Sequence, residues 1–64
     1  MLIKVTRIID FNNKKSTEKI LINTDIISEI YPSENGSTIY LKHGNFNINV
    51  TETINEILTL TKEG

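Results

Sequence analysis

From Ser37 to Val50 apolar residues recur at every second position, in two short runs separated by His43-Gly44, and behind Thr53 the spacing becomes helical. Ile39 and Leu41, then Phe46, Ile48 and Val50, form the apolar series, while Thr38, Lys42, Asn45, Asn47 and Asn49 fill most of the places between. A period of two puts one set of side chains on one face of a strand and the other set on the opposite face, so this stretch predicts a hairpin with one dry and one wet face. Thr53-Ile54-Asn55-Glu56 then fits a capping box, in which hydroxyl and carboxylate satisfy free amides at a helix start. Ile54, Ile57 and Leu58 give the helix an apolar stripe that Leu60 extends toward a frayed end at Gly64. With Lys62 as its one cation, that stripe suits packing on a sheet better than binding a membrane surface.

Upstream, Leu2 to Ile9 alternates well enough for a first strand, with Ile3 and Val5 on one side and Lys4 and Thr6 on the other. Arg7 continues the Ile3-Val5 row, so its guanidinium belongs at the end of the buried face or snorkels from it. Two readings follow for Arg7: an anion or carboxylate site at a sheet edge, or an ion pair with a partner subunit, Asp25 or Glu29. Asp10 to Glu18 is polar and reads as a hairpin loop, with Asn12-Asn13 suited to left-handed turn positions. Lys19 to Asn23 is a second strand with Ile20 and Ile22 opposite Leu21, which allows both faces to be covered. Asn23-Thr24-Asp25 makes a tight bend, Ile26 to Tyr31 a third strand, and Pro32 to Gly36 a turn at which proline ends the ladder. The expected fold is α+β, mainly β, in a single domain. It consists of an antiparallel sheet of about five strands (2–9, 19–23, 26–31, 37–42 and 45–50), a meander of hairpins, and one amphipathic helix over 54–62.

A folded chain of 64 residues buries only about 60% of the surface its unfolded form exposes. With no cysteine and a single histidine, His43, neither disulfides nor a Cys/His zinc site can supplement the core. Twelve isoleucines exceed what one helix over one small sheet needs, and a homo-oligomer is therefore expected. No stretch approaches the roughly 20 apolar residues of a membrane span, and the N-terminus lacks a signal peptide's apolar run. A cytoplasmic protein is expected, and heavy use of Ile, Asn and Lys suits an AT-rich bacterial genome or a phage within such a host.

The net charge of −1 is unevenly spread, residues 1–19 carrying +3 and residues 20–64 carrying −4. Duplex-binding proteins gather basic residues over a whole surface, so nucleic acid is not the expected partner. The basic end does allow a small anionic ligand, with Lys4, Arg7, Lys14, Lys15 and Lys19 for phosphate and Phe11 for stacking on a base. Tyr31 and Tyr40 flank the Pro32 to Ser37 turn, either as part of a protein contact or as cross-strand packing. No nucleophile stands near a base, and the isolated Gly36 and Gly44 form no phosphate-cradling loop, so neither an enzyme nor a cofactor is expected.

Four segments carry a resemblance: Ile3-Lys4-Val5-Thr6-Arg7, Ile22-Asn23-Thr24-Asp25-Ile26-Ile27 with Ile30, Thr38-Ile39-Tyr40-Leu41-Lys42-His43-Gly44, and Val50 to Ile57. In these the chain resembles the FlbD/SwrD family, small bacterial proteins associated with flagella or swarming motility. It departs from that pattern at Ile9 to Lys19, where the family has a short turn. The resemblance implies no catalytic residues, because that family is not enzymatic. The residues and the resemblance together lead to the expectation of a non-enzymatic, oligomeric binding or adaptor protein that acts through surface contacts with itself and an unknown protein partner. A weaker similarity, through Asp25-Ile26-Ile27 and the strand, turn, strand, helix ending, is to LytTR-type DNA-binding modules, which are longer and more basic. The alternative from the residues themselves is a phage or bacterial homo-oligomeric sponge that sequesters an anionic nucleotide signal at its subunit interfaces.

Overall fold

Two left-handed asparagines organise the first half of the chain. In the computed structural model, which describes residues 1–63, Asn12 and Asn13 take φ values of 53° and 61° between β1 (Leu2–Phe11) and β2 (Lys14–Asn23). Two successive left-handed residues make the turn whose twist matches that of the flanking strands, so pairing continues to the tip. The ladder runs unbroken from Leu2 opposite Asn23 to Phe11 opposite Lys14. Asp10 to Glu18, expected as a loop, is therefore mostly strand. Its residues are polar because the outer arm has no core beneath it: positions 10 to 19 are all exposed.

The remaining elements are β3 (Ile27–Ser33), β4 (Gly36–Leu41), β5 (Asn47–Val50) and α1 (Ile54–Glu63). The short helical turn at Thr24–Ile26 realises the expected bend, with the Asp25 N–H donating to Asn23 Oδ1 at 3.0 Å. Pro32 does not end the ladder. It lies within β3 opposite Ser37, tolerated because β3 is an edge strand whose outer side needs no N–H donor. The expected fraying at Gly64 lies outside the described residues.

All neighbours in the sheet are antiparallel, in the order β2-β1-β5-β4-β3. The hairpins thus do not cross the sheet as one continuous meander. The last strand is inserted beside the first, and β2 and β3, adjacent in sequence, form opposite edges.

The core is built on one face from Ile3, Val5, Ile22, Ile39 and Val50, with Ile57 of α1 laid onto it. Fully burying a side chain of this size stabilises by about 1.5–3 kcal/mol, so Ile57 alone does much to dock the helix. Two expected core residues point elsewhere. Phe46 precedes β5, sits in the reversal against Gly44 and is exposed, while Leu58 lies one position past Ile57 and turns to solvent. Leu60, three residues after Ile57, packs against the core instead. The capping box forms as expected: the Thr53 N–H donates to Glu56 Oε1 at 3.0 Å and the Glu56 N–H to Thr53 Oγ1 at 3.2 Å.

One junction joins the β1-β2 hairpin to the rest. Arg7 lies opposite Val50, the Thr51 N–H donates to the Thr6 carbonyl at 2.9 Å, and there the β1-β5 ladder stops. Glu52 replaces the next backbone partner, its Oε1 accepting from the Thr6 N–H at 2.8 Å. Its carbonyl accepts from Ser37 Oγ, also at 2.8 Å, which satisfies the one fully buried polar side chain among the described residues. Gly36 leaves room for this crossing, since a Cβ there would lie 2.2 Å from the Val50 carbonyl oxygen.

A fold of this length holds about 3–10 kcal/mol, so single changes at the junction should be measurable. Glu52→Ala leaves the Thr6 N–H without its acceptor and should cost about 1–3 kcal/mol in urea unfolding. Gly36→Ala forces a methyl group onto β5 backbone from a left-handed φ of +147° and should cost about 2–4 kcal/mol in the same measurement.

Candidate functional site

The parity of β1 and β2 distributes the basic residues. Facing pairs in an antiparallel ladder point to the same side, so Lys4, Lys15 and Lys19 share the face opposite the core with Leu2, Thr6, Ile8 and Leu21. Arg7, Phe11 and Lys14 lie on the other face. The six residues expected to bind an anion are therefore not brought together within one copy.

Four of the five cations on these strands, all but Lys14, also have polar or charged company. Arg7 Nη1 lies 3.4 Å from Glu18 Oε1, its cross-strand neighbour, which replaces the expected pairing with Asp25 or Glu29. Both side chains are about half exposed (49% and 47%), so the pair orders the arm but adds at most about 1 kcal/mol. Lys19 Nζ donates to Thr6 Oγ1 at 2.7 Å. With Lys4 it lines a groove of about 430 Å³ whose helix side carries Glu52, Glu56, Leu60 and Glu63. Two ammonium groups against three carboxylates do not make a phosphate site. Lys15 faces Asp10 and lines a second hollow, of about 540 Å³, that also contains Glu34. Phe11 is exposed beside the Asn12-Asn13 turn, with Lys14 across from it.

The tyrosines do come together. Tyr31 on β3 faces Thr38, Tyr40 on β4 faces Glu29, and the diagonal rings meet edge to face with centroids 5.5 Å apart at 90°. The Tyr31 hydroxyl donates to Glu29 Oε2. Tyr31 and Tyr40 nevertheless remain 50% and 39% exposed, so the rings pack on each other and still present surface. Between them and the leucines the open face is mostly polar, Ile8 apart, with Thr38 Oγ1 donating to Asn49 Oδ1 at 2.8 Å.

Leu2 and Leu21, each 62% exposed, form a diagonal pair on that same face and were not singled out by sequence. The alternation that put Leu21 opposite Ile20 and Ile22 was the signal for them; on that second face the structure leaves both leucines uncovered. Among the described residues no group of His, Cys, Asp or Glu is arranged to hold a metal ion, and no helix is long and apolar enough to cross a membrane. Compared with known proteins, the chain matches no family model, no curated protein and no solved structure. The FlbD/SwrD resemblance therefore rests on the segments quoted above.

Tyr31 has its pKa raised, first by the hydrogen bond to Glu29, then by the carboxylate's charge, with smaller contributions from burial and Tyr40. The neutral phenol is favoured in the fold, so this contribution is whole below the ordinary tyrosine pKa and is lost as pH rises through the raised one. Phenolate absorbance should show Tyr31 titrating above about 10, and Glu29→Gln should move it back toward that value. An unchanged titration in Glu29→Gln would remove the carboxylate as the cause.

Proposed function

We propose that this chain is a non-enzymatic binding or adaptor protein that acts as a homo-oligomer through the surface of its sheet. The observation that carries this reading is the imbalance between core and surface. Among the described residues only six apolar side chains are buried, while Leu2, Phe11, Leu21, Phe46 and Leu58 are each more than half exposed. Of the twelve isoleucines four are buried and eight keep accessible surface. Single exposed apolar residues are ordinary, but so many on so small a domain favour contact with another surface.

The sheet also offers two separate apolar areas on its open face, the Leu2-Leu21 pair at one end of the strand order and the Tyr31-Tyr40 pair toward the other. Two areas suit an adaptor, one for self-association and one for a protein partner. Nucleotide sequestration gains less support, because Lys4, Lys15 and Lys19 stand on a different face from Arg7, Phe11 and Lys14, and carboxylates line both hollows.

Native mass spectrometry of protein purified from cell lysate tests the reading. A dimer or larger oligomer without retained small molecules is expected. A monomer at tens of micromolar would overturn self-association, and excess mass of nucleotide size would replace the adaptor reading with sequestration.

A further inference from the structure

The two edges of the sheet differ in how well they are protected. β3 carries Pro32, which has no N–H to offer, and a register shift between Ile27 and Glu29 that interrupts its ladder. Prolines and bulges are ordinary defences against edge pairing. β2 has neither. It is ten residues long, regular over its whole length, and paired on one side only.

The direction of its free backbone groups follows from Thr6. The Thr6 N–H and carbonyl both point away from β2, to Glu52 and Thr51, so Thr6 and Lys19 form a pair that exchanges no backbone hydrogen bonds. In an antiparallel ladder such pairs alternate with bonded ones. Lys19 therefore turns its own N–H and carbonyl outward, and by the same period so do Lys15, Thr17 and Leu21.

We infer that a second copy of this chain pairs antiparallel with β2, about a two-fold axis at Ile20. This rests on the self-association reading and specifies where it occurs. Charge and length together select the register: centring on Leu21 also opposes no like charges, but it engages only residues 19 to 23 of each copy. Centring the axis on Glu18 or Lys19 sets that residue against its own copy, and centring it on Thr17 sets Lys15 against Lys19, like charges directly opposed. Centring on Ser16 matches Lys14 with Glu18 but joins only polar side chains, and Glu18 is already held by Arg7. Centring on Ile20 has no like-charge pair. It sets Ile20 against Ile20, Glu18 against Ile22, Lys19 against Leu21 and Thr17 against Asn23, and engages residues 17 to 23 of each copy.

In this register the Ile20 and Ile22 faces of both copies lie on the same side of one continuous ten-stranded sheet, twice the five strands of each copy, so the two cores adjoin. Leu21 covers the aliphatic stem of the other copy's Lys19. The exposed leucine and the partly buried Ile20 thus acquire partners that the single copy lacks.

Charge substitution at Leu21 tests both edge and register, because this exposed side chain is outside the core. The probe is native mass spectrometry of the full chain with sedimentation to obtain Kd, and circular dichroism to confirm folding. Leu21→Lys sets two lysines opposite Lys19 and should raise the dimer Kd at least about ten-fold, whereas Leu21→Glu sets carboxylates there and should leave it unchanged or lower. Adding Lys19→Glu to Leu21→Lys should restore association. Wild-type association that neither single substitution alters would overturn the β2 interface while leaving self-association standing. Loss of association in both would overturn the register, and a monomeric wild type would overturn the interface together with the reading beneath it.

Discussion

The structure depends on the three-way meeting of Thr6, Ser37 and Glu52. Two units, the β1-β2 hairpin and the β3-β4-β5 group, each carry apolar residues on one face but neither holds a complete core. Backbone pairing between them is limited to the region of Arg7 and Val50. Glu52 extends that short seam from both ends of one residue, with its carboxylate on the Thr6 N–H and its carbonyl on the Ser37 hydroxyl. Because Glu52 stands directly before the capping box, the same residue sets where α1 begins and thus where Ile57 enters the core. A side chain acting as a strand's last hydrogen-bond partner lets the sheet end and the helix start within three residues. Gly36 belongs to the same junction, since only a residue without Cβ permits β5 and the following chain to approach so closely.

Much of the local structure was legible because it depends on near neighbours. The Asn12-Asn13 turn, the bend at Asn23 and the Thr53-Glu56 box each needed only a few consecutive residues. The apolar periods likewise placed Ile3, Val5, Ile22, Ile39, Val50 and Ile57 inward. What failed was information that lies between distant segments. Insertion of β5 beside β1 leaves no trace in either strand's pattern, and Glu52 has no local signature of its use. The polar outer arm was misread because polarity normally marks a loop, whereas a hairpin exposed on both faces is polar while fully extended. Pro32 misled in the opposite way, since proline ends only ladders that need its N–H. For the candidate ligand residues, closeness in sequence suggested one site. Once the turn is known to have two residues, strand parity alone divides Lys4, Lys15 and Lys19 from Arg7, Phe11 and Lys14.

The full β1-β2 hairpin is long enough to account for the molecule's length. Ten residues at about 3.3 Å each span about 33 Å, close to the longest dimension of 35 Å. Core contacts hold only the Leu2 and Asn23 ends of the two strands, and the outer part rests on its own cross-strand pairs, Arg7 with Glu18 and Asp10 with Lys15 among them. Exposed pairs of this kind contribute little individually. The turn geometry, more than side-chain energy, therefore keeps the arm in register.

Edge pairing at β2 would link stability to association in a way that suits such a fold. A seven-residue edge whose outward backbone groups, on alternate residues from Thr17 to Asn23, now face water would gain a ladder, and the core would widen from Ile20 rather than deepen. A chain of this length has few other means of adding apolar contacts. Because the added energy appears only when copies meet, the folded fraction would rise with concentration, as mass action requires of any partner that binds the native state alone. The open face remains available in this arrangement, since pairing uses backbone groups in the plane of the sheet. The Tyr31-Tyr40 pair, near the edge farthest from β2, would then appear once on each side of a two-fold axis. Two copies of one aromatic surface at a fixed separation can engage a repeated or dimeric protein far more strongly than either does alone, provided that their spacing matches its own.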